Sequence, residues 1–440
     1  MQQKQHMMSF WDEMATWIGA NANNGTWYIG GVIAALGLIL SIKLSLLVGV
    51  ISYIFLAMIG YMGYQTKRAT MNLTQVAFGK VGSFGPSMVN IILCMGWAAV
   101  NTFIAAESVS TLMHDLANWP VYGQKGGLKG IILGIIIMSF LHLISISLGE
   151  RTVRLIERIG IIAVFIFVIW ESIVVLKHFS FHSLLIWRVQ NKYKLSCGSA
   201  IDSLAAFNLA WVTVGADFTK FSKNKVSSTF APFLGALLGV MWFIFVGVIS
   251  TIGTSIFTGN FNPNSSDPST VASKLGLGII ALIVIILTST TANAVNLMAA
   301  GTAITNINKK IKLTPASWIA AFITIFMTLI PLWFNNFVDV FTMFLNYIGM
   351  ILGPEIAIIL TDYFIVHKAN YSKDDFKNTF KFGSGAYLCW IIGVILYFVL
   401  KKVSFISDNI GVTFIVMIIT MIMYLIIKTW SKRFNKINDY

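Results

Sequence analysis

Apolar runs of about 17–25 residues recur along the whole chain, and each can cross the ~30 Å hydrocarbon core of a bilayer as a helix. Twelve can be read, over about 9–38, 45–64, 87–113, 129–148, 159–176, 199–216, 229–257, 272–301, 315–333, 338–366, 384–400 and 409–427. The pattern predicts one all-α transmembrane domain over residues 1–440. No cleavable leader is expected. Lys4 alone precedes Trp11, Asp12 and Glu13, which is not a basic segment followed by an apolar one.

Composition narrows the class. The chain is 57% hydrophobic and 11% charged, with a mean hydropathy of +0.78, whereas soluble domains carry about 25% charged residues. Too little polar surface remains for a water-exposed globule, so soluble enzymes and disordered scaffolds are excluded. A formal charge of +14 raises the question of a nucleic-acid partner, which would need clustered, exposed charge. The 31 basic residues instead sort by side: 21 fall in loops on the side of the termini and 10 on the other. By the positive-inside rule both termini are expected in the cytoplasm, in a multi-pass protein of the cytoplasmic membrane. The basic loops then face anionic lipid, and no nucleic acid is expected. Cys94, Cys197 and Cys389 show neither metal spacing nor a disulfide framework.

Two spans are interrupted. The first contains Gly19, Asn21, Asn23, Asn24, Gly25, Gly30 and Gly31, poor helix formers at bilayer depth. Non-helical backbone survives there where it lines a cavity or is buried in protein. The competing reading is a glycine face for close helix packing, which suits Gly30-Gly31 better than the asparagines. The sixth span is short, carries Asp202, Ser203, Asn208, Trp211 and Thr213, and runs into Gly215. Paired short or Gly-interrupted spans at matching positions of two halves point to a transporter binding site. Spans one and six match if the core is two five-span repeats, about 9–176 and 199–366, the second inverted, with extra helices at about 384–427.

Span eight adds Thr288, Ser289, Thr290, Thr291, Asn293 and Asn296. Hydroxyls of Thr290 and Thr291 with carbonyls from the span-one break would form an all-oxygen site suited to Na⁺. Alternatively, each hydroxyl bonds back to its own helix. In span three, Phe103 and Glu107 are four apart and share a face, a grip for a flat polar heterocycle. An acid within a span is a functional candidate; the alternative for Glu107 is contact with water at the outer end. His142 reads as a satisfied core histidine. Glu171 and Asp339 read as solvated span ends, and Glu355, after Gly353-Pro354, as a structural acid or a proton site.

These residues, with Phe78-Gly79-Lys80-Val81-Gly82-Ser83, Gly96-Trp97, Ala216-Asp217-Phe218-Thr219-Lys220-Phe221, Asn335-Asn336-Phe337-Val338 and Thr361-Asp362-Tyr363-Phe364, make the chain resemble the nucleobase–cation symporter family. That family includes bacterial cytosine permease and the hydantoin transporter. The resemblance implies the leucine-transporter fold: a 5+5 inverted repeat with helices one and six broken, plus two more helices. It also implies a Na⁺ site of backbone oxygens near Ala22, Gly25 and Leu287 with the hydroxyls of Thr290 and Thr291. Substrate contacts fall on Phe103, Glu107, Phe207, Asn208, Trp211 and Asn296. Three departures stand out. Glu107 replaces a neutral amide of the hydantoin transporter, Glu355 follows a proline where cytosine permease has an apolar residue, and Phe207-Asn208 do not reproduce the cytosine permease pair in order.

The resulting expectation is a monomeric symporter that imports a nucleobase such as cytosine or a related heterocycle with Na⁺ by alternating access. The alternative is a proton-coupled permease of the same fold for a purine, hydantoin, vitamin precursor or amino acid. An enzyme is not expected, because the six histidines form no catalytic or metal constellation.

Overall fold

Span one breaks where its asparagines fall. In the computed structural model, which describes residues 7–147, 150–190, 193–262, 268–307, 310–334 and 337–438, α1 (Phe10–Asn21) stops at Ala22 and α2 (Asn24–Ile33) starts after Asn23. Asn23 is extended, and its side-chain oxygen accepts from the Thr26 N–H at 3.0 Å, satisfying a helix-end donor that the break exposes. The chain then turns through Ala34–Leu36 and Gly37, whose φ of +80° suits glycine. Helix α3 (Leu38–Thr66) therefore begins seven residues before the expected start at 45.

A short α4 (Thr70–Phe78) precedes α5 (Phe84–Ala117), α6 (Leu128–Ser147) and α7 (Glu150–His178), which are spans three to five. After α8 (Phe181–Ile186), span six is again two pieces, α9 (Cys197–Val212) and α10 (Gly215–Thr219). Span seven is α11 (Lys225–Thr258), and α12 (Pro268–Lys274) lies between it and span eight, α13 (Gly278–Ile307). Span nine is α14 (Leu313–Thr328) with α15 (Ile330–Phe334). Span ten, α16 (Phe337–Thr361), ends in a π turn, Asp362–Val366. The remaining helices are α17 (Lys373–Lys377), α18 (Ser384–Lys401), α19 (Ser404–Asn409) and α20 (Thr413–Asn438). Among the described residues ten helices are long and apolar enough to cross a membrane. The other two expected crossings correspond to the split α1–α2 pair and to α7. Asn335 and Asn336 lie outside the described residues.

Packing exchanges the halves. Span one packs on α11 of the second half, and span six packs on α3 of the first. Spans three, four, eight and nine form a second layer through α5, α6, α13 and α14. Two glycines permit the close approach of α2 and α11. A Cβ on Gly247 would sit 2.2 Å from the Trp27 carbonyl oxygen, and one on Gly30 would sit 2.6 Å from that of Ile244. Both contacts are with backbone, so no side chain can yield. Gly247→Val is expected to lower the thermal midpoint measured by fluorescence size-exclusion chromatography, because overpacking costs about 1–3 kcal/mol or more; an unchanged midpoint would contradict this packing.

Polar ties fasten the ends. Asp202 on α9 accepts from Lys401 Nζ and from Val412 N, Thr413 N and Thr413 Oγ1 at the start of α20. At the other end Asp362 accepts from Tyr371 at 2.7 Å and Tyr424 at 2.6 Å, with His367 and Lys428 beside it. The bond to Asp362 holds His367, just past the span, above the usual imidazole range.

Candidate functional site

A cavity of about 140 Å³ lies where the two breaks meet α5 and α13. It is small against the ~300–1,000 Å³ typical of sites for drug-sized ligands. Ala22 and Asn23 of the span-one break line it, as do Trp97 and Asn101 on α5, Phe207 and Trp211 on α9, and Thr288, Thr291 and Asn296 on α13. The wall continues toward the side of the termini through Thr16, Asn90 and Phe218.

Trp97 is fixed by ring edges. Phe207 and Phe344 meet it at 5.2 Å and 5.4 Å with interplanar angles of 85° and 77°, the T-shaped geometry that aromatic quadrupoles favour. The Asn101 amide is one turn along the same helix. A Cβ built on Gly25 would lie 3.7 Å from the Trp97 ring and 3.8 Å from the Asn101 oxygen, so the break abuts both. The arrangement offers a flat ring a stacking face, with amides from Asn101 and Asn296 for its edge.

Several expected residues stand here and several do not. Phe207, Trp211, Asn296, Ala22 and Thr291 line the cavity, and Gly25 borders it through Trp97 and Asn101. Thr290 instead bonds back to the Ile286 carbonyl and turns toward Met138 of α6. Leu287, one turn before Thr291, adds no side chain to the wall and could serve only through its backbone oxygen. Thr291 also bonds back, to Thr288 O at 2.8 Å, so the local alternative holds for both threonines in this conformation. Asn208 is buried behind the wall, where its oxygen and that of Asn21 both lie within 3.0 Å of the Tyr53 hydroxyl. One hydroxyl carries one proton, so one amide must offer its NH₂ instead. Turning Asn208 over supplies that donor and gives its otherwise unpartnered Nδ2 a partner. The tie joins both broken helices to α3.

Phe103 and Glu107 lie elsewhere. Phe103 is fully buried, stacked on Phe337 at 4.6 Å and 12° with Tyr122 edge-on at 5.5 Å. Tyr28 meets Phe337 and Phe341 at 5.1 Å, so an aromatic layer closes the central cavity on the side away from the termini. Glu107 sits beyond that layer, in a second cavity of about 450 Å³ with Tyr122, His114 and Lys274. Burial and the nearby Glu107 charge push the Tyr122 hydroxyl up to about 12. The physical reason for the correction is helix register. Six residues rotate the face by about 120° and advance it by about 9 Å, so Phe103–Glu107 looks away from the face of Trp97–Asn101. The useful signal was the same four-residue spacing, applied one and a half turns earlier to Trp97 and Asn101.

Asn24 was also missed as an individual. Its Nδ2 lies within 3.0 Å of Ile285 O, Thr288 Oγ1 and Ser289 Oγ, bracing α2 against α13 beside the expected ion position. His142 Nε2 lies 3.1 Å from Asn293 Nδ2, the satisfied core contact its isolation suggested. Glu171 is not a solvated span end: it is fully buried. Glu355 is likewise buried, with one oxygen lacking a partner among the described residues.

The model of a family described as permeases for cytosine/purines, uracil, thiamine and allantoin matches residues 1–427. YxlA of Bacillus subtilis (strain 168) is 24% identical over 385 residues, 82% of this chain and 77% of that one. The allantoin permease of the same organism is 21% identical over 405 residues, 85% of this chain and 78% of that one. The inward-facing structure of Mhp1 superposes with a TM-score of 0.76 at 15% identity, covering 97% of this chain and 92% of that one. A closed Mhp1 structure with bromovinylhydantoin bound gives 0.68 at 16% identity, covering 97% and 93%. At such identities the likeness establishes the fold, the leucine-transporter type.

Proposed function

The chain belongs to the cytosine/purine, uracil, thiamine and allantoin permease family, and on that premise we propose that it imports a nucleobase such as cytosine, or a related small heterocycle, together with Na⁺. The observation that carries the reading is the convergence of Trp97, Asn101 and Asn296 with the span-one break in one cavity. A nucleobase is flat and presents donors and acceptors around its edge. Stacking on Trp97 would hold the plane, and the two amides would read the edge. Phe207 and Trp211 of span six wall the remaining side.

Na⁺ would sit beside the substrate, on the carbonyls of Ala22, Gly25 and Leu287 and the hydroxyl of Thr291. Thr290 would join after a rotamer change that frees it from Ile286. Ala22, with ψ of 69°, has left the helix, so its carbonyl is available to an ion. Binding would tie α2 to α13 at the point that Asn24 already braces, which links ion occupancy to the geometry of the break. The protein would work as a monomer in the cytoplasmic membrane with both termini in the cytoplasm, its two repeats at about 9–176 and 199–366. The aromatic layer of Tyr28, Phe103 and Phe337 would then be the closed outer side, and the cavity wall toward Phe218 the release side.

Thermal-shift screening of the purified protein against nucleobases, hydantoins and vitamins, with and without Na⁺, tests the reading. A ligand at one hundred times its Kd stabilises the folded state by about 2.7 kcal/mol. A nucleobase is expected to raise the midpoint, and more so in Na⁺ than in choline. No shift with any nucleobase would count against this substrate class.

A further inference from the structure

Glu171 stands on α7 seven residues beyond Val164, the α7 residue in the wall of the central cavity, or about 10 Å along the helix. It is fully buried, and neither carboxyl oxygen has a hydrogen-bond partner among the described residues. The Ser250 hydroxyl on α11 is beside it without reaching a formed bond. Trp27 of α2 faces the same seam. Its ring packs on Phe167, one turn before Glu171, at 5.5 Å, and its Cδ1 would lie 2.6 Å from a Cβ on Gly247, one turn before Ser250. The neighbouring Trp27 Nε1 is likewise unpartnered, as is Ser250 Oγ. An acid and a hydroxyl from two helices thus meet at one buried place, with an indole N–H from a third about one helical turn along the same seam.

Among the described residues the surroundings offer no counter-charge. Tyr28 is the one titratable side chain on α2, and α13 has none. Helix α11 carries only Lys225, at its far end, and α6 carries Lys129 at one end and His142, held by Asn293. On α7 itself the nearest charged or titratable groups are Lys177 and His178, six and seven residues later, and the Glu and Arg residues of its first turns, up to Arg158, lie thirteen or more residues before. A buried carboxylate without a paired cation is strongly unfavourable, so it must take up a positive charge or leave the interior. The Ser250 hydroxyl beside it can hydrogen-bond the carboxyl group.

We propose that Glu171, with Ser250 and Trp27, is a proton-binding site that couples the packing of α2 against α7 and α11 to the proton concentration outside. Protonated, the seam closes at the tight Gly247–Trp27 contact. Deprotonated, the charge draws water into the seam and displaces α2, the helix that runs from the span-one break. Proton binding therefore biases the transport cycle from a point some two helical turns from the substrate. The proposal rests on the transporter reading for its uptake assay alone.

The full chain in proteoliposomes, with Na⁺ equal on both sides, is assayed for radiolabelled cytosine uptake as the external pH is stepped from mildly alkaline to mildly acidic. Wild-type uptake is expected to rise several-fold, and Glu171→Gln, a mimic of the neutral acid, to show a flat profile. A wild-type profile that is flat, or a Glu171→Gln profile with the wild-type slope, would overturn the proposal. Should Glu171→Gln not fold, Glu171→Asp carries the test: the slope is expected to persist with a displaced midpoint, and its loss in a folded variant overturns the site. Infrared difference spectra of the purified wild type need no transport. A protonated-carboxyl band is expected at neutral pH, exchangeable on acid–base titration and indifferent to Na⁺. A band that Na⁺ removes at constant pH would make the ligand a metal ion and overturn the proton assignment. If cytosine is not transported but the band titrates, the substrate reading fails and the proton site stands.

Discussion

Trp97→Ala is expected to weaken nucleobase binding about ten- to a hundredfold, measured by scintillation proximity with purified protein. Stacking of a base on an aromatic side chain contributes about 1–3 kcal/mol, and each 1.4 kcal/mol is about tenfold in affinity. Trp97 should fall at the high end of that range. Phe207 and Phe344 pin its ring edge-on, so little side-chain freedom is lost when a ligand settles on its face. The matched control is Phe103→Leu. Phe103 is stacked on Phe337 away from the central cavity, and its loss should loosen the outer closure while leaving the equilibrium affinity unchanged. Equal losses from both substitutions would mean that the substrate sits on the outer side of the aromatic layer, with Glu107.

The largest effect on stability is expected from Asp202→Ala. Asp202 is 1% exposed and accepts four hydrogen bonds: one from Lys401 at 2.9 Å and three from Val412 and Thr413 at 2.7–2.9 Å. Removing one partner of a buried pair costs about 3–5 kcal/mol. Lys401 keeps 30% of its side chain exposed and can turn to water, which moderates that share. The backbone N–H groups of Val412 and Thr413 have no such escape, and they would be left unpaired at the start of α20. A drop of about 3 kcal/mol in unfolding free energy is therefore expected. Asp202→Asn should be milder, because an amide oxygen still caps those N–H groups. Thermal unfolding in detergent checks both, and equal midpoints for wild type and Asp202→Ala would refute the cap.

The breaks and the all-helical, multi-pass character were legible because they are local. Asn23 and Asn24 are poor interior helix residues, and the helix indeed stops between Ala22 and Asn24. Span six reads as short because Asp202, Asn208 and Thr213 dilute its apolar run, and it ends in a second interruption before Gly215. What stayed hidden depends on rotation, depth and distant partners. Phe103–Glu107 and Trp97–Asn101 have the same four-residue spacing, and only the tertiary packing of α5 decides which pair faces the breaks. Glu171 looked like a span end because it lies five residues from the end of the expected span at 176, but it is fully buried with Ser250 of α11 beside it. Asp202 read only as one of the polar residues that shorten span six, whereas its partners Lys401, Val412 and Thr413 lie some 200 positions away. Depth in a bundle is set by neighbouring helices, and hydropathy along one chain does not report it.

The central claim is that the cavity at the span-one break couples a nucleobase to Na⁺, and proteoliposome uptake tests it most directly. With pH fixed and equal on both sides, an inward Na⁺ gradient should drive accumulation of radiolabelled cytosine above its external concentration. Dissipating the gradient should collapse it, and Thr291→Ala should remove the Na⁺ dependence. Accumulation that is the same with choline in place of Na⁺, or a Na⁺ dependence that survives Thr291→Ala, would contradict the account.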